Sequence, residues 1–213
     1  SYNNKFKIGD KVVVVGKPFG IMTNGGFSEI IKAPVKWVEK TPGNISLKKA
    51  MIFGTAGFTA LLAVLNILKK KSKNLKKPVL ISGASGGVGT VSIVALSILG
   101  FNVWACTSNK KNTEFLKQLG ASKVIQLKEF KKKHNMPLLN KKFSAIVDNI
   151  GGDVFSYGLK ELDQNGEFFS IGNISGENIN LNILPFILRG VKVTGINTEN
   201  ISSKDRKKIW KLI

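Results

Sequence analysis

Short apolar runs alternate with amphipathic stretches along most of the chain after residue 78. The apolar runs predict β-strands over 79–82, 102–106, 123–126, 145–148, 167–171 and 192–195. Apolar residues at helical spacing predict helices over 87–99, 113–119 and 154–162, and a short basic helix that reaches His134. Regular alternation of strand and helix is typical of a parallel sheet with helices on both faces. We therefore expect an α/β fold with a doubly wound sheet.

The chain before residue 79 has a different pattern. Short β segments joined by glycine and proline turns predict a small β unit, with its best strands over 11–15 and 27–31. Apolar residues at helical spacing follow over 47–68, interrupted around Gly54, and a lysine-rich loop leads to Pro78. The segment over 47–78 connects the small β unit to the predicted doubly wound sheet.

A glycine-rich turn directly follows the first strand of the predicted sheet. It reads Gly83-Ala84-Ser85-Gly86-Gly87-Val88-Gly89 and precedes a long apolar helix. Glycine at 86 would let backbone amides approach a pyrophosphate, and glycine at 89 would allow close packing of helix on strand. The helix N-terminus adds a partial positive charge. The position between strand and helix favours a dinucleotide site over a tight connection alone.

The end of the second strand lacks the acidic residue that holds the ribose hydroxyls in NAD-preferring sites. After Cys106 the chain reads Thr107-Ser108-Asn109-Lys110-Lys111, which offers hydroxyl and amide donors beside cations. A 2′-phosphate requires such donors. The sequence thus predicts NADPH in preference to NADH, the alternative being that the lysines only cap a loop.

With these motifs in view, the chain resembles the acrylyl-CoA reductase branch of the quinone-oxidoreductase-like, zinc-independent medium-chain dehydrogenase/reductases. The resemblance covers nearly all of the chain and is carried by the motifs at 50–60, 82–89, 116–122, 148–152 and 185–191. It implies part of a GroES-like β domain over 1–46, an NADP-binding Rossmann domain over 47–200, and the start of a return segment over 201–213. It also implies an internal portion of a longer reductase, and a homodimer formed through the edge strand near 192–196.

The resemblance implies contacts with the cofactor, residue by residue. The family commonly has Ser-Gly-Arg where this chain has Thr107 to Asn109, so Lys110 or Lys123 would have to supply the missing cation. Thr55, Ile174, Ile187 and Thr198 would lie near the nicotinamide, although Ile174 and Ile187 are almost equally consistent with simple core positions. The implied cofactor-binding residues are Thr55, Ser85, Gly86, Gly87, Val88, Thr107, Ser108, Asn109, Lys123, Ile174, Ile187 and Thr198.

The implied activity is hydride transfer from NADPH to the β-carbon of an α,β-unsaturated acyl-CoA. An NADPH:quinone or general enone reductase is the alternative within enzymes, and a folded but inert portion is a third possibility. No residue stands out as catalytic. With one cysteine and one histidine, the chain is expected to hold no metal site of its own. Cys106 is expected to be a buried apolar residue, and His134 a solvated one.

The formal net charge of +20 raises the alternative of a basic nucleic-acid-binding protein. Only Arg189 and Arg206 are arginines, and the densest lysine runs contain almost no aromatic residues, so base reading and stacking are not favoured. We expect no nucleic-acid partner, and a positive field that steers anionic NADPH and CoA esters. Since the chain has neither an unbroken apolar run of membrane-spanning length nor a leader pattern, a cytoplasmic protein without a membrane partner is expected.

Overall fold

The computed structural model describes residues 5–43, 45–69, 77–131 and 136–213. They form two compact units. We call Ser1–Phe58 together with Asn197–Ile213 the terminal unit, and Thr59–Ile196 the sheet unit. The strands, in chain order, are β1 (Val12–Val13), β2 (Glu39–Lys40), β3 (Val79–Ile81), β4 (Val103–Thr107), β5 (Lys123–Gln126), β6 (Phe143–Asp148), β7 (Leu162–Ser170) and β8 (Lys192–Gly195). The helices are α1 (Leu47–Lys69), α2 (Gly87–Ile98), α3 (Thr113–Gln118), α4 (Leu127–Lys131), α5 (Asp153–Glu161), α6 (Leu184–Arg189) and α7 (Ser203–Leu212).

The terminal unit contains a small antiparallel pair. β1 pairs with β2, with Val13 opposite Glu39, inside the strand predicted over 11–15. The strand predicted over 27–31 is wrong, because the backbone bends there and Phe27 and Ile30 are exposed. Phenylalanine and isoleucine favour strands only when a neighbouring strand covers them, and the described residues supply none.

Helix α7 closes the terminal unit against β2. The buried Arg206 donates from Nε to Glu39 Oε1 at 2.7 Å and from Nη2 to the carbonyl oxygen of Val15 at 2.7 Å. Trp210 Nε1 donates to Glu39 Oε2 at 3.0 Å, and its ring meets Phe58 edge-on at 4.9 Å between centroids. The two ends of the chain are thus joined by charge-assisted hydrogen bonds and an aromatic contact.

Helix α1 is broken at Gly54, whose φ of 45° and ψ of −150° are not helical. By length and composition, α1 alone among the helices of the described residues could cross a membrane. However, more than half of its apolar window is buried. Ala63, Val64 and Ile67 pack into the core beneath the sheet. It is therefore a core helix of the structure.

The sheet unit confirms the predicted doubly wound parallel sheet. Its six strands lie in the order β5-β4-β3-β6-β7-β8, and every neighbouring pair is parallel. The chain moves outward from β3 through β4 to β5, then returns to the other side of β3 with β6. This reversal opens a crevice at the carboxyl ends of β3 and β6, where ligands bind in such sheets. Strand β8, to which the resemblance assigns a homodimer contact, forms one edge of the described sheet.

Alternate residues of the central strands enter two separate apolar clusters. Val79 and Ile81 pack with Ile93 and Leu96 of α2, whereas Leu80 packs with residues of α5 on the other face. This alternation is what a sheet covered on both faces requires. Compared with the prediction, β7 begins earlier, and α6 and α7 were not expected as helices. The predicted helix end at His134 lies outside the described residues.

Candidate functional site

The turns that follow β3 and β6 meet at the crevice of the sheet unit. The Ser82 hydroxyl donates to the Asp148 carboxylate, and the backbone N–H of Asn149 donates to Ser82 Oγ at 2.9 Å. Asn149 Nδ2 donates to the carbonyl oxygen of Ser82 at 2.7 Å. These bonds fix the start of the glycine turn to the neighbouring strand.

Asp148 is the centre of this hydrogen-bond cluster. Its side chain is fully buried and accepts from the backbone N–H of Ile150 at 3.1 Å and of Gly151 at 3.0 Å. Burial raises the pKa of Asp148, although the hydrogen bonds from Ser82 and the two amides act in the opposite direction. Asp148 is shielded from solvent, and its hydrogen bonds hold the turns after β3 and β6 in position. In the sequence Asp148 stands out only as part of a family motif, and the signal for its role is an acidic residue at the end of an apolar strand, shortly before Gly151 and Gly152.

The glycine turn forms a narrow cradle. Gly83 has a φ of +57°, and its carbonyl oxygen accepts from the N–H of Gly86 at 3.0 Å. A Cβ at Gly89 would lie 2.6 Å from the carbonyl oxygens of Gly83 and Ala84, so only glycine fits there. A Cβ at Gly86 would approach only the Gly83 carbonyl oxygen, at 3.3 Å.

Helix α2 begins at Gly87 with its first turn unshielded. Gly86, its N-cap, provides no side-chain hydrogen bond, and the first turn carries no acidic residue. Ser85, Gly86 and Gly87 are exposed, and Val88 is half-buried. Unpaired amides and the positive end of the helix dipole thus face the crevice. A cradle that a side chain would fill, beside free amides, fits a pyrophosphate.

The loop after β4 is organised by its own side chains. Thr107 is buried, and its Oγ1 accepts from the N–H of Asn109 at 3.2 Å. Asn109 Oδ1 accepts from the N–H of Lys111 at 3.0 Å and caps the 3₁₀ turn Lys110–Asn112. Ser108 and Asn109 are exposed. The residue at the family's arginine position is thus used to shape the turn.

A cavity of about 460 Å³ lies beside this loop, at the carboxyl ends of β4 and β5. Its lining residues come from both strand ends and from α4: Ser108, Lys110, Gln126, Leu127, Lys128 and Glu129. Lys128 was not recognised from the sequence, because nothing in the sequence pattern brings α4 next to the β4 loop.

The structure does not bring Lys123 to this loop. Lys123 begins β5 and pairs in register with Trp104, whereas Thr107 pairs with Gln126 at the other end of the strands. The Lys123 ammonium lies over the Trp104 ring at 4.4 Å from its centroid. This arrangement is a surface cation-π contact.

Ile174 and Ile187 are exposed, at 85% and 66% of their surface, so interpreting them as core residues is wrong. Ile174 lies in the loop after β7, where the adjacent Ser175 donates from its backbone N–H to the carbonyl oxygen of Ile150 at 2.8 Å. That contact places Ile174 next to the turn after β6. Ile187 lies on α6.

Thr55 and Thr198 belong to the terminal unit. Thr55 is exposed and follows the break in α1 at Gly54. The carbonyl oxygen of Thr198 lies against Gly16, where an added Cβ would be 2.8 Å away. Their assignment to the nicotinamide end of a cofactor stays a prediction.

Cys106 is fully buried at the end of β4, as the sequence predicts. Burial, and to a smaller degree the charge of Asp148, raise the pKa of its thiol to about 12. A thiol that stays protonated at neutral pH is not a nucleophile.

The model of a family described as zinc-binding dehydrogenase matches residues 87–213. The chain is 34% identical over 210 residues to the putative quinone oxidoreductase YhfP of Bacillus subtilis, a match that covers 99% of this chain and 64% of the relative. It is 32% identical over 213 residues to the acrylyl-CoA reductase AcuI of Ruegeria pomeroyi, covering all of this chain and again 64% of the relative. The chain thus spans about two thirds of the length of these relatives.

Two similar crystal structures carry nicotinamide cofactors. Escherichia coli K-12 YhdH, with bound NADPH, gives a TM-score of 0.94 at 30% identity over 99% of this chain and 65% of that one. Bacillus subtilis YhfP, with NAD bound, gives 0.91 at 33% identity over 99% of this chain and 64% of that one.

Proposed function

Because this chain belongs to the zinc-binding dehydrogenase family, we propose that it binds NADPH and acts as a reductase of α,β-unsaturated acyl-CoA thioesters of the acrylyl-CoA type. One observation carries the proposal. The glycine cradle after β3 lies at the reversal point of the sheet, next to a β4 loop that has cations and hydroxyls but no carboxylate. The first feature suits a dinucleotide, and the second suits a 2′-phosphate.

Each part of the site has a separate role in binding. The exposed N–H groups of Ser85 and Gly87 would hold the pyrophosphate at the start of α2, and Gly86, without a side chain, would leave room for it. Ser108 and Lys110 would contact the 2′-phosphate, while the buried Ser82 and Asp148 keep the two turns in place. Ile174 and Ile187 would offer apolar contacts toward the nicotinamide, which their exposure supports.

When bound, NADPH supplies a hydride, which in the proposed reaction reaches the β-carbon of the enoyl thioester while the α-carbon takes a proton. The residues of this chain would orient the cofactor and surround it with fixed dipoles. Asp148 and Cys106 are excluded as the proton donor because both are fully buried. We assign no catalytic residue.

The described residues do not fit a zinc ion, despite the name of the family. They contain no group of three or more histidine, cysteine, aspartate or glutamate side chains that could hold a metal. The chain has one cysteine, which is buried, and one histidine, which lies outside the described ranges. We therefore propose a reaction in which no step passes through zinc.

Reduction of a quinone is the second candidate. It is favoured by the 34% identity with a relative named as a putative quinone oxidoreductase. Both candidates require the same cofactor site and differ in the substrate that accepts the hydride.

The test is cofactor oxidation by the purified chain. We expect the absorbance of NADPH to fall on addition of acryloyl-CoA, with an equal amount of propionyl-CoA formed. Reactions without enzyme and without thioester are the controls. Oxidation with benzoquinone but not with acryloyl-CoA would replace the proposal with the second candidate. NADPH binding without oxidation by either substrate would contradict a reductase activity of this chain.

A further inference from the structure

Two lysines from different elements line the cavity beside the β4 loop. Lys110 follows β4, and Lys128 lies on α4, directly after β5. We propose that Lys128 acts together with Lys110 to select the 2′-phosphate of NADPH, replacing the single arginine that the β4 loop lacks. The inference rests on the proposed function, since it takes this cavity as part of the NADPH site.

Asn109 supplies no cation to the β4 loop, and its side-chain oxygen is an acceptor that cannot bind a phosphate oxygen. That oxygen caps the 3₁₀ turn through the N–H of Lys111, and the backbone N–H of Asn109 is held by Thr107 Oγ1. An amide has no charge to offer a phosphate dianion in any case. A cation must come from another position.

The loop after β4 and the start of α4 lie at the same edge of the sheet. β4 and β5 are parallel neighbours, with Thr107 opposite Gln126, so the residues after each strand emerge at the same edge of the sheet. Lys110 and Lys128 therefore line the same cavity of about 460 Å³ although they come from different elements. Ser108, which also lines the cavity, adds a hydroxyl donor.

The cavity beside the β4 loop has an excess of positive charge. Both lysines are exposed, and within the described ranges no carboxylate forms an ion pair with either, whereas nearby Lys117 is paired with Glu114 at 3.0 Å. Glu129 lines the same cavity, so the lining contains two ammonium groups and one carboxylate. Lysine is a point charge without the two-pronged geometry of arginine. Two lysines from separate elements can supply what one arginine would.

The other nearby lysines do not fit. Lys111 is not among the residues that line the cavity, and Lys123 lies at the opposite end of β5 over Trp104. Lys111 therefore offers a matched control, because it is an exposed neighbour of Lys110 with the same charge.

The experiment measures binding of 2′,5′-ADP and of 5′-AMP by calorimetry, since these probes differ only in the 2′-phosphate. We expect Lys110→Gln and Lys128→Gln each to lower the affinity for 2′,5′-ADP about tenfold, with little change for 5′-AMP. The double variant should bind both probes equally, and Lys111→Gln should stay within about twofold of the wild type. Circular dichroism checks that each variant is folded.

A Lys128→Gln variant that keeps the wild-type preference for 2′,5′-ADP would overturn this inference alone, provided that the unaltered chain binds NADPH. Failure of the unaltered chain to bind either NADPH or 2′,5′-ADP would overturn the proposed function and the inference with it.

Discussion

A methyl group added at Gly86 should weaken cofactor binding much more than it weakens the fold. Its φ is −79°, so alanine meets no backbone strain, and the added Cβ would approach one atom, at 3.3 Å. The same Cβ would stand where a pyrophosphate meets the start of α2. We expect Gly86→Ala to weaken NADPH binding about tenfold or more, measured by fluorescence titration, with a loss of stability of no more than about 1 kcal/mol from the poorer N-cap.

Gly195→Ala is the matched control, because a Cβ there has no atom within 4 Å. Equal NADPH affinities for the Gly86 and Gly195 variants would contradict the role of the glycine turn. A large loss of stability in Gly86→Ala would instead contradict the view that Gly86 is needed for the ligand and not for the fold.

For single residues, the sequence predicts a role correctly where that role depends on residues adjacent in the chain. The turn from Gly83 to Gly89 and the burial of Cys106 follow from local pattern, and the structure agrees. Asn109 was harder, because its capping bond exists only once the 3₁₀ turn has formed. Lys128 could not be found, because its closeness to Lys110 comes from the pairing of β4 with β5.

At the scale of elements, the central strands β3, β4 and β6 could be predicted because both of their faces are buried, which leaves continuous apolar runs. The predicted strand over 27–31 failed because the same residue types, when exposed and without a pairing strand, gain nothing from an extended backbone. Helix α6 was missed because its six residues are too few to show a helical period.

The contact between α7 and β2 should control the stability of the terminal unit. Glu39 accepts from both Arg206 and Trp210, and Arg206 is buried. We expect Glu39→Gln to destabilise the unit by about 2 kcal/mol, because it leaves a buried guanidinium without its carboxylate. Urea unfolding followed by tryptophan fluorescence measures this. The control is Lys208→Gln, which removes the ion pair between Lys208 and Asp205 at 3.9 Å and should change the urea midpoint little. Equal losses of stability in the two variants would contradict the role of Glu39.

The contact of Glu39 with Arg206 and Trp210 makes the stability of the terminal unit depend on pH. Burial by itself raises the pKa of Glu39, but the hydrogen bonds from Arg206 and Trp210 outweigh it, so the pKa lies below its ordinary value of about 4.3. A lowered pKa in the folded state means that the stabilisation is present above the ordinary value and is lost as the pH falls through the folded one. The wild type should therefore lose this increment in acid, whereas Glu39→Gln has no such increment to lose.

At the scale of the whole molecule, the net charge of +20 and the family relationship both bear on which cofactor the chain binds. A positive field draws in anions of many kinds, so charge alone does not identify the ligand. Of three similar crystal structures, two carry NADPH or NADP and one carries NAD, which favours NADP(H). The preference must come from the β4 loop and the cavity beside it, where this chain has lysines and no aspartate or glutamate at the strand end.

The most direct test is a fluorescence titration of the purified chain with NADPH and, separately, with NADH at one fixed, moderate salt concentration. We expect NADPH to bind at least about tenfold more tightly than NADH, since charged hydrogen bonds to the 2′-phosphate have no counterpart in NADH. Equal affinities, tighter binding of NADH, or no binding of either nucleotide would contradict it.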